Sequence, residues 1–383
     1  MNKFLNYYKE QNILPIKQNI SNMENHLRKR ENLYRQLGIP AIAFKDKNIL
    51  EVGAGSGYNT LAFFHFECKK ITIVEPNKNG IKEMKQLFEN TKLFKMPEID
   101  IQNKTIEEFN DNNKYDFIIA EGFLHSIDNA KDIILNLLDK LDNGGILVVT
   151  CMDYCSMFIE QMKRLVSSII ISNISDYNEK VKKCTEIFEG TMKNLKNMSR
   201  SIEDWVKDDI LNPAFNNDII FTIKDVIELI NNDYYILGTS QNIFTDFSWY
   251  KDIDNFKELS NNYLKQYLMK RHNFIMYGQE ETIINLNKSN KIYNILTNIR
   301  NFSKQYEENN ENEILENILK FLEDLLIEFK DINNNIYEFI ERIINCLKEF
   351  LETGKISNYK NIFKSGDIGR TQQYISIQKK YRF

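Results

Sequence analysis

The residues best placed to do chemistry are Glu51 and the three alternating glycines that follow it, in Asn48-Ile-Leu-Glu-Val-Gly-Ala-Gly-Ser-Gly-Tyr58. An apolar run ending in a carboxylate and a glycine series predicts a buried parallel strand, a tight turn and a helix. Glycine has no Cβ, so Gly53, Gly55 and Gly57 let the backbone take positive φ and let a ligand lie against it. Ala54 and Ser56 keep the turn small, and its free amides can hold polar ligand atoms. Tyr58 and Asn59 follow where side chains could hydrogen-bond that ligand. A second carboxylate, Glu75, ends the apolar run Ile71-Thr-Ile-Val74, where it can accept both hydroxyls of a ribose. Together these residues predict a nucleoside-bearing ligand at the tip of the first strand.

A dinucleotide fingerprint would need glycine at position 58, one residue beyond the Gly57 present here, and usually has no acid before the turn. This chain has Tyr58 and Glu51 instead. With Glu51, the spaced glycines and Glu75, it resembles the class I S-adenosylmethionine-dependent methyltransferases. The resemblance implies S-adenosylmethionine as cofactor, with Glu51 and the turn holding its amino-acid end and Glu75 its ribose. Thr105 and Ile106 match the position that contacts adenine, although Thr105 stands where an acid is usual. Glu121 and Gly122 match the position lining the methionine side. Methyl transfer from a sulfonium is an in-line displacement, so the protein mainly aligns the partners. A hydroxyl acceptor also needs a base, whereas a phosphate or carboxylate oxygen does not. His125, the only histidine placed after a core strand, is the candidate base; the alternative is a histidine packed for structure.

A looser similarity runs through Leu33–Pro40, Asp246–Lys251, Arg271–Phe274 and Gly369–Tyr374, which look like a bacterial surface-polysaccharide and specialised-metabolite group. It implies O-methylation of a small polar acceptor: a glycan, sugar or phosphorylated precursor. Trp249 and Tyr250 could then stack on a sugar ring. Arg271 and Arg370 could bind an anionic group through paired donors, with structural ion pairs as the alternative. Two other classes share the cofactor signature. One is a cofactor-binding protein without catalysis that serves as an interaction module, and the other is an aminopropyl transferase on the same fold. RNA methylation is disfavoured by the charge and the lack of an RNA-binding module.

The elements that must position these residues alternate as in an α/β fold. Strands are expected at 48–52, 70–74, 99–102, 115–120, 146–150 and 234–238, with helices over 58–67, 78–90, 129–141 and 223–231. Asn143-Gly-Gly145 reads as a turn. The family sheet needs a seventh, antiparallel strand between the fifth and sixth, and only the C-terminal segment Gly369–Gln378 alternates suitably. The fold class is therefore α/β, a seven-stranded Rossmann-like methyltransferase sheet with helical insertions. The expected organisation is an N-terminal helical cap (1–44), a cofactor-binding core (45–151) and a helical insertion serving as lid or substrate region (152–217). A core helix with the sixth strand (218–251), a second helical insertion (252–365) and the C-terminal core strand (366–383) complete it. Two amphipathic runs, 312–330 and 336–352, carry apolar stripes at helical spacing, which read as core packing or as a homodimer interface.

The 383 residues can bury a full core, and a net charge of −4 gives no field toward nucleic acid or an anionic membrane. Arg28-Lys-Arg30 with Arg35 reads as a solvated helix face, being interrupted by Glu24 and Glu31. Five cysteines and four histidines fit neither a disulfide framework nor a zinc set, so no metal is expected. No signal-peptide pattern opens the sequence and no apolar run is long enough to span a bilayer, so a cytoplasmic protein is expected.

Overall fold

Short apolar runs separated by amphipathic helices build one seven-stranded sheet in the computed structural model. The structure describes residues 20–91, 93–192, 201–216, 220–245, 249–251 and 256–382. The chain divides into two units, 1–152 with 217–264 and 372–383, and 153–216 with 265–371.

The first unit carries the whole sheet: β1 (Asn48–Val52), β2 (Lys70–Val74), β3 (Glu98–Gln102), β4 (Tyr115–Ala120), β5 (Leu141–Cys151), β6 (Tyr234–Thr239) and β7 (Gln373–Lys379). The order is β3-β2-β1-β4-β5-β7-β6. Strands β1 to β5 pair in parallel, and β7 runs antiparallel between β5 and β6, as expected from its position at the chain end. Helices α1 (Met23–Gln36), α2 (Leu61–His65), α3 (Lys78–Asn90) and α4 (Ala130–Asp139) belong to the same unit. Val52 pairs with Val74 on one side and Ala120 on the other, so Gly53, Glu75 and Glu121 leave the sheet at one level. This register, set by three buried apolar strands, creates the site.

Residues 1–19 of the expected N-terminal cap lie outside the described residues. The remainder forms α1, whose first turn is closed by Asn22 Oδ1 accepting from the Asn25 amide at 2.9 Å. The helix ends before Gly38-Ile-Pro40, as the proline predicts. Its buried face packs Tyr34 edge-on against Phe44, ring centroids 4.9 Å apart, within a cluster that includes Phe63, Phe64 and Phe117. Ser376 Oγ of β7 donates to the Leu37 carbonyl at 2.7 Å, tying the last strand to the end of α1.

One local expectation fails. Asn143-Gly-Gly145 is no free turn but an irregularity inside β5: Tyr115 pairs with Leu141, and Phe117 already pairs with Ile146. Gly144 takes φ +77, and a Cβ there would fall 2.3 Å from the Tyr381 ring, so the bulge needs glycine.

The second unit is helical. Helix α5 (Tyr154–Ile170) is buried along almost its whole circumference, and α6 (Tyr177–Met192) and the short α7 (Ile202–Trp205) follow it. In the first unit α8 (Ile223–Leu229) precedes β6, and α9 (Phe256–Lys270) crosses from that unit to the second. Helices α10 (Leu286–Asn309), α11 (Asn312–Phe329) and α12 (Asn334–Thr353) complete the set. The stripes Ile314, Ile318, Leu322 and Leu325 of α11, and Ile336, Phe339, Ile340, Ile343 and Leu347 of α12, are buried within the chain. Among the described residues no helix is long and apolar enough to cross a membrane.

Strand β7 supplies both neighbours' hydrogen bonds, so removing it exposes two strand edges at once. Deleting residues 369–383 is therefore expected to leave no soluble folded protein, checked by circular dichroism and gel filtration of the expressed fragment. A stable truncated chain with native helicity would contradict this topology.

Candidate active site

The turn after β1 takes positive φ at Gly53 (+74), Gly55 (+57) and Gly57 (+78). At Gly57 the requirement is also steric, since a Cβ would lie 2.6 Å from Met84 Cγ. Beside the turn, the buried Glu75 carboxylate accepts from the Gly55 amide through Oε2 and from the Asn77 amide through Oε1, each at 2.7 Å. Burial raises its pKa while the two amides oppose that rise. Asn77 caps α3, accepting from the Asn79 and Gly80 amides. Asn103 Nδ2, which sequence reasoning passed over, donates to the Glu75 carbonyl at 3.0 Å. Ser56 Oγ donates to Glu83 Oε2 at 3.3 Å, and Ala54 and Asn59 are half-buried in the same turn.

Glu51 is 5% exposed and its Oε2 has no hydrogen-bond partner among the described residues. Burial pushes its pKa up to about 7; the Thr60 hydroxyl and Arg30 pull it down, and Glu121 and Glu75 push it higher. Glu121, just past β4, accepts from Arg30 Nη2 at 2.6 Å and from the Tyr34 hydroxyl at 3.2 Å. Arg30 Nη2 also donates to Tyr34 Oη at 2.7 Å. The solvated-face reading thus holds for Arg28, which pairs with Glu24 in solvent, and fails for Arg30, which is buried. His26, one turn earlier, bonds the Tyr58 carbonyl through Nε2 at 2.9 Å. A carbonyl only accepts, so that nitrogen carries the proton. His26, Arg30 and Tyr34 recur every four residues on the buried face of α1, a spacing masked in the sequence by the charged neighbours of Arg30.

The other expected residues are placed as follows. The Thr105 hydroxyl accepts from the Glu108 amide at 3.4 Å, and Ile106 is buried next to it. The Gly122 amide donates to Thr150 Oγ1 at 2.7 Å. His125 sits in the short turn Leu124–Ser126, buried, with Nδ1 lacking a partner among the described residues. Burial lowers its pKa to about 4. Trp249 and Tyr250 belong to the first unit and are exposed, with Lys251 Nζ 4.9 Å from the Trp249 ring centre.

Arg271 and Arg370 belong to the second unit. Arg271 is buried; it donates to Ser289 Oγ at 3.1 Å and Asn290 Oδ1 at 2.9 Å and stacks 3.8 Å over Tyr293. Arg370 lies 5.7 Å from the Tyr277 ring centre, and its Nε is buried without a partner among the described residues. No cluster of described residues could hold a metal.

Residues 24–181 match a family model described as a methyltransferase domain. Malonyl-[acyl-carrier protein] O-methyltransferase 1 of Ilyobacter polytropus is 26% identical over 153 residues, 40% of this chain and 54% of that protein. The chain thus spans about half the length of the curated relative it matches. Among solved structures, the N-methyltransferase NodS of Bradyrhizobium japonicum, in complex with S-adenosyl-L-homocysteine, is 21% identical and covers 40% of this chain and 74% of its own, with a TM-score of 0.31. PKMT2 of Rickettsia typhi is 18% identical over 63% of this chain and 49% of its own, with a TM-score of 0.39.

Residues 24–181 thus resemble a methyltransferase domain, and the sheet has the strand order expected of the class I fold. The cofactor of this domain is S-adenosylmethionine. The residues present fit it: the orphaned, buried Glu51 oxygen suits an ammonium group. Glu75 keeps lone pairs beyond those taken by Gly55 and Asn77 for two ribose hydroxyls.

Two outcomes test this geometry. Raised pKa values in buried acids favour the protonated folded chain, so Glu51 contributes stability fully present below pH 4.5 and lost as pH rises through about 7. An ammonium ligand draws the ionised form, so affinity for S-adenosylhomocysteine should rise about tenfold from pH 5.5 to pH 7. Calorimetry across that range should show the rise, and Glu51→Gln should flatten it. Gly57→Ala, strained at positive φ and crowding Met84, should lower stability by about 1–3 kcal/mol in denaturant melts.

Proposed function

We propose that this chain is an S-adenosylmethionine-dependent O-methyltransferase acting on a small polar acceptor, a glycan, sugar or phosphorylated precursor of bacterial surface-polysaccharide or specialised metabolism. The observation that carries the methyl-transfer reading is the pair of carboxylates at adjacent strand tips. Glu51 has a free buried oxygen and Glu75 is fixed by two backbone amides. When bound, the cofactor supplies a methyl group already activated on a sulfonium. Glu51 then neutralises its ammonium, Glu75 accepts its ribose hydroxyls, and the turn at Thr105 and Ile106 borders its adenine. Gly122, fixed through Thr150, has open space beside its Cα, and such space would admit an acceptor to the methionine side of the cofactor.

His125 favours one acceptor chemistry. With a pKa lowered to about 4 by burial, its imidazole is a weak base at neutral pH. An oxygen that arrives without a proton, on a phosphate or carboxylate, needs no base and suits this site better than a sugar hydroxyl. An oxygen acceptor is also supported by the Ilyobacter relative, which is named an O-methyltransferase. The exposed Trp249 and Tyr250, with Lys251 beside them, offer a stacking face and a cation for such an acceptor. The proposal includes a cytoplasmic enzyme with no nucleic-acid or membrane partner, in keeping with the slightly acidic net charge.

Release of S-adenosylhomocysteine should be measured with a panel of sugars, sugar phosphates and carboxylates. Turnover is expected with the anionic members, and Glu75→Ala should lower kcat/KM about a hundredfold by removing two charge-assisted hydrogen bonds. Tight cofactor binding with no turnover on any acceptor would instead favour a non-catalytic interaction module.

A further inference from the structure

The arginines of the second unit are engaged by acceptors of that unit, with one exception among the described residues. Arg164 reaches Glu307 at 2.8 Å, Arg342 reaches Asp367 at 2.7 Å, and Arg271 donates to Asn290 Oδ1 at 2.9 Å. Arg300 donates to Gln161 Oε1 at 3.1 Å and to the Phe215 carbonyl at 2.7 Å. Arg370 differs. No described residue accepts a hydrogen bond from its guanidinium, and its Nε is buried. The residue is half-buried, so it is no freely solvated surface arginine like Arg28. A cationic N–H kept from water and left without an acceptor is unfavourable, and an arriving anion relieves it.

The backbone around Arg370 is held on every side while its side chain is not. Its own amide donates to the Phe274 carbonyl at 3.1 Å, and the Tyr277 amide donates to the Ile368 carbonyl at 2.7 Å. Gly369 lies so close to α5 that a Cβ would fall 2.7 Å from the Ser156 carbonyl oxygen. Ser156 Oγ donates to the Thr371 carbonyl at 3.1 Å, so both neighbours of Arg370 are tied to that helix. Glu160, the acid nearest in this clamp, is occupied by Lys163 and by the Gly369 amide. The exposed Tyr277 ring has its centre 5.7 Å from the guanidinium carbon, within range of cation–π attraction. A fixed backbone and an unengaged cation beside an open aromatic face make a preorganised anion receptor. We propose that Arg370 and Tyr277 form an oxyanion site on the second unit, taking the phosphate or carboxylate of a sugar. Arg370 gives the oxyanion two parallel N–H donors, and the Tyr277 ring gives the sugar a stacking face. For the acceptor as ligand, the assignment rests on the function proposed above; the site itself lies within the second unit and needs no cofactor.

The test is calorimetry on the full chain, without cofactor, using inorganic phosphate, glucose 6-phosphate, glucuronate and glucose. At least one sugar anion should bind and glucose should not; whichever anion binds tighter identifies phosphate or carboxylate as the group recognised. Arg370→Met should weaken that anion about tenfold or more, and Arg370→Lys, which keeps the charge but not the fork, should weaken it less. Tyr277→Ala should weaken the sugar anion about threefold while leaving inorganic phosphate within about twofold. Circular dichroism melts establish that each variant is folded. Phenylglyoxal labelling of the unaltered chain, read by peptide mass spectrometry, needs no substitution: the preferred anion should shield Arg370 and leave Arg28 equally labelled. Binding of no anion by the unaltered chain, unchanged anion affinity in folded Arg370→Met, or Arg370 labelling indifferent to the anion would each overturn the site. Failure of methyl transfer on every anionic acceptor is a separate result: it would remove the function proposed above and leave Arg370-dependent anion binding in place.

Discussion

The Glu75 carboxylate is the interaction on which the rest of the site depends. It is pinned by the backbone amides of Gly55 and Asn77, one from the glycine turn and one from the start of α3. A buried acid accepting two amide bonds is fixed in position without a flexible side-chain partner, and each bond favours its charged form. The turn after β1 and the turn after β2 therefore cannot move independently. Because Val52, Val74 and Ala120 share one register level, the two turns fixed by this carboxylate leave the sheet at the same level as the tip of β4.

The sheet was legible because its signals are local and strong. Continuous apolar runs bounded by glycine and acids mark parallel strands, and a missing antiparallel strand could be assigned to the chain end by elimination. The bulge at Asn143–Gly145 was not legible, because an Asn-Gly-Gly string marks a turn equally well and glycine's positive φ at Gly144 suits either. On the cofactor side, the motif residues could be read from spacing, whereas Arg30 could not. A charged residue flanked by Arg28, Lys29 and Glu31 looks solvated until its helical neighbours His26 and Tyr34 are seen to share its face. Its partner Glu121 is 91 residues away, so no local pattern encodes the pair.

The second unit shows the limit of periodicity. Helix α5 buries Glu160, Gln161, Lys163 and Arg164 together with its apolar residues, so no polar face remains to be read. Its charges are matched internally: Lys163 meets Glu160 at 3.1 Å, and Arg164 reaches Glu307 at 2.8 Å and the Asn212 carbonyl at 2.9 Å. Such pairs add little net stability against apolar residues of similar size, but breaking one strands a buried charge. The Arg164–Glu307 pair therefore specifies which helices pack together more than it strengthens the packing. Arg271 follows the same logic, with Ser289, Asn290 and the Tyr293 ring around it. A lone arginine in a sequence looks like an anion site, while in a polar helical core it is commonly a bracket between elements.

Helix α1 and strand β7 come from opposite ends of the chain yet complete the same site. Ser376 and Leu37 are bonded across 339 positions, and Tyr374 of β7 lies within electrostatic reach of Arg30 and Glu121. Contacts of such separation carry the largest loop-closure cost and are made late in folding. The parallel strands β1, β2 and β4 need none of them, since their pairing is set by their own register. The glycine turn and Glu75 can thus be in place before the cap is docked, whereas the Arg30–Glu121 pair forms only when α1 docks. The Glu75 end of the site rests on short-range structure and the Arg30–Glu121 end on longer-range structure. Undocking of α1 should accordingly fall first on the part of the site that holds the Arg30–Glu121 pair.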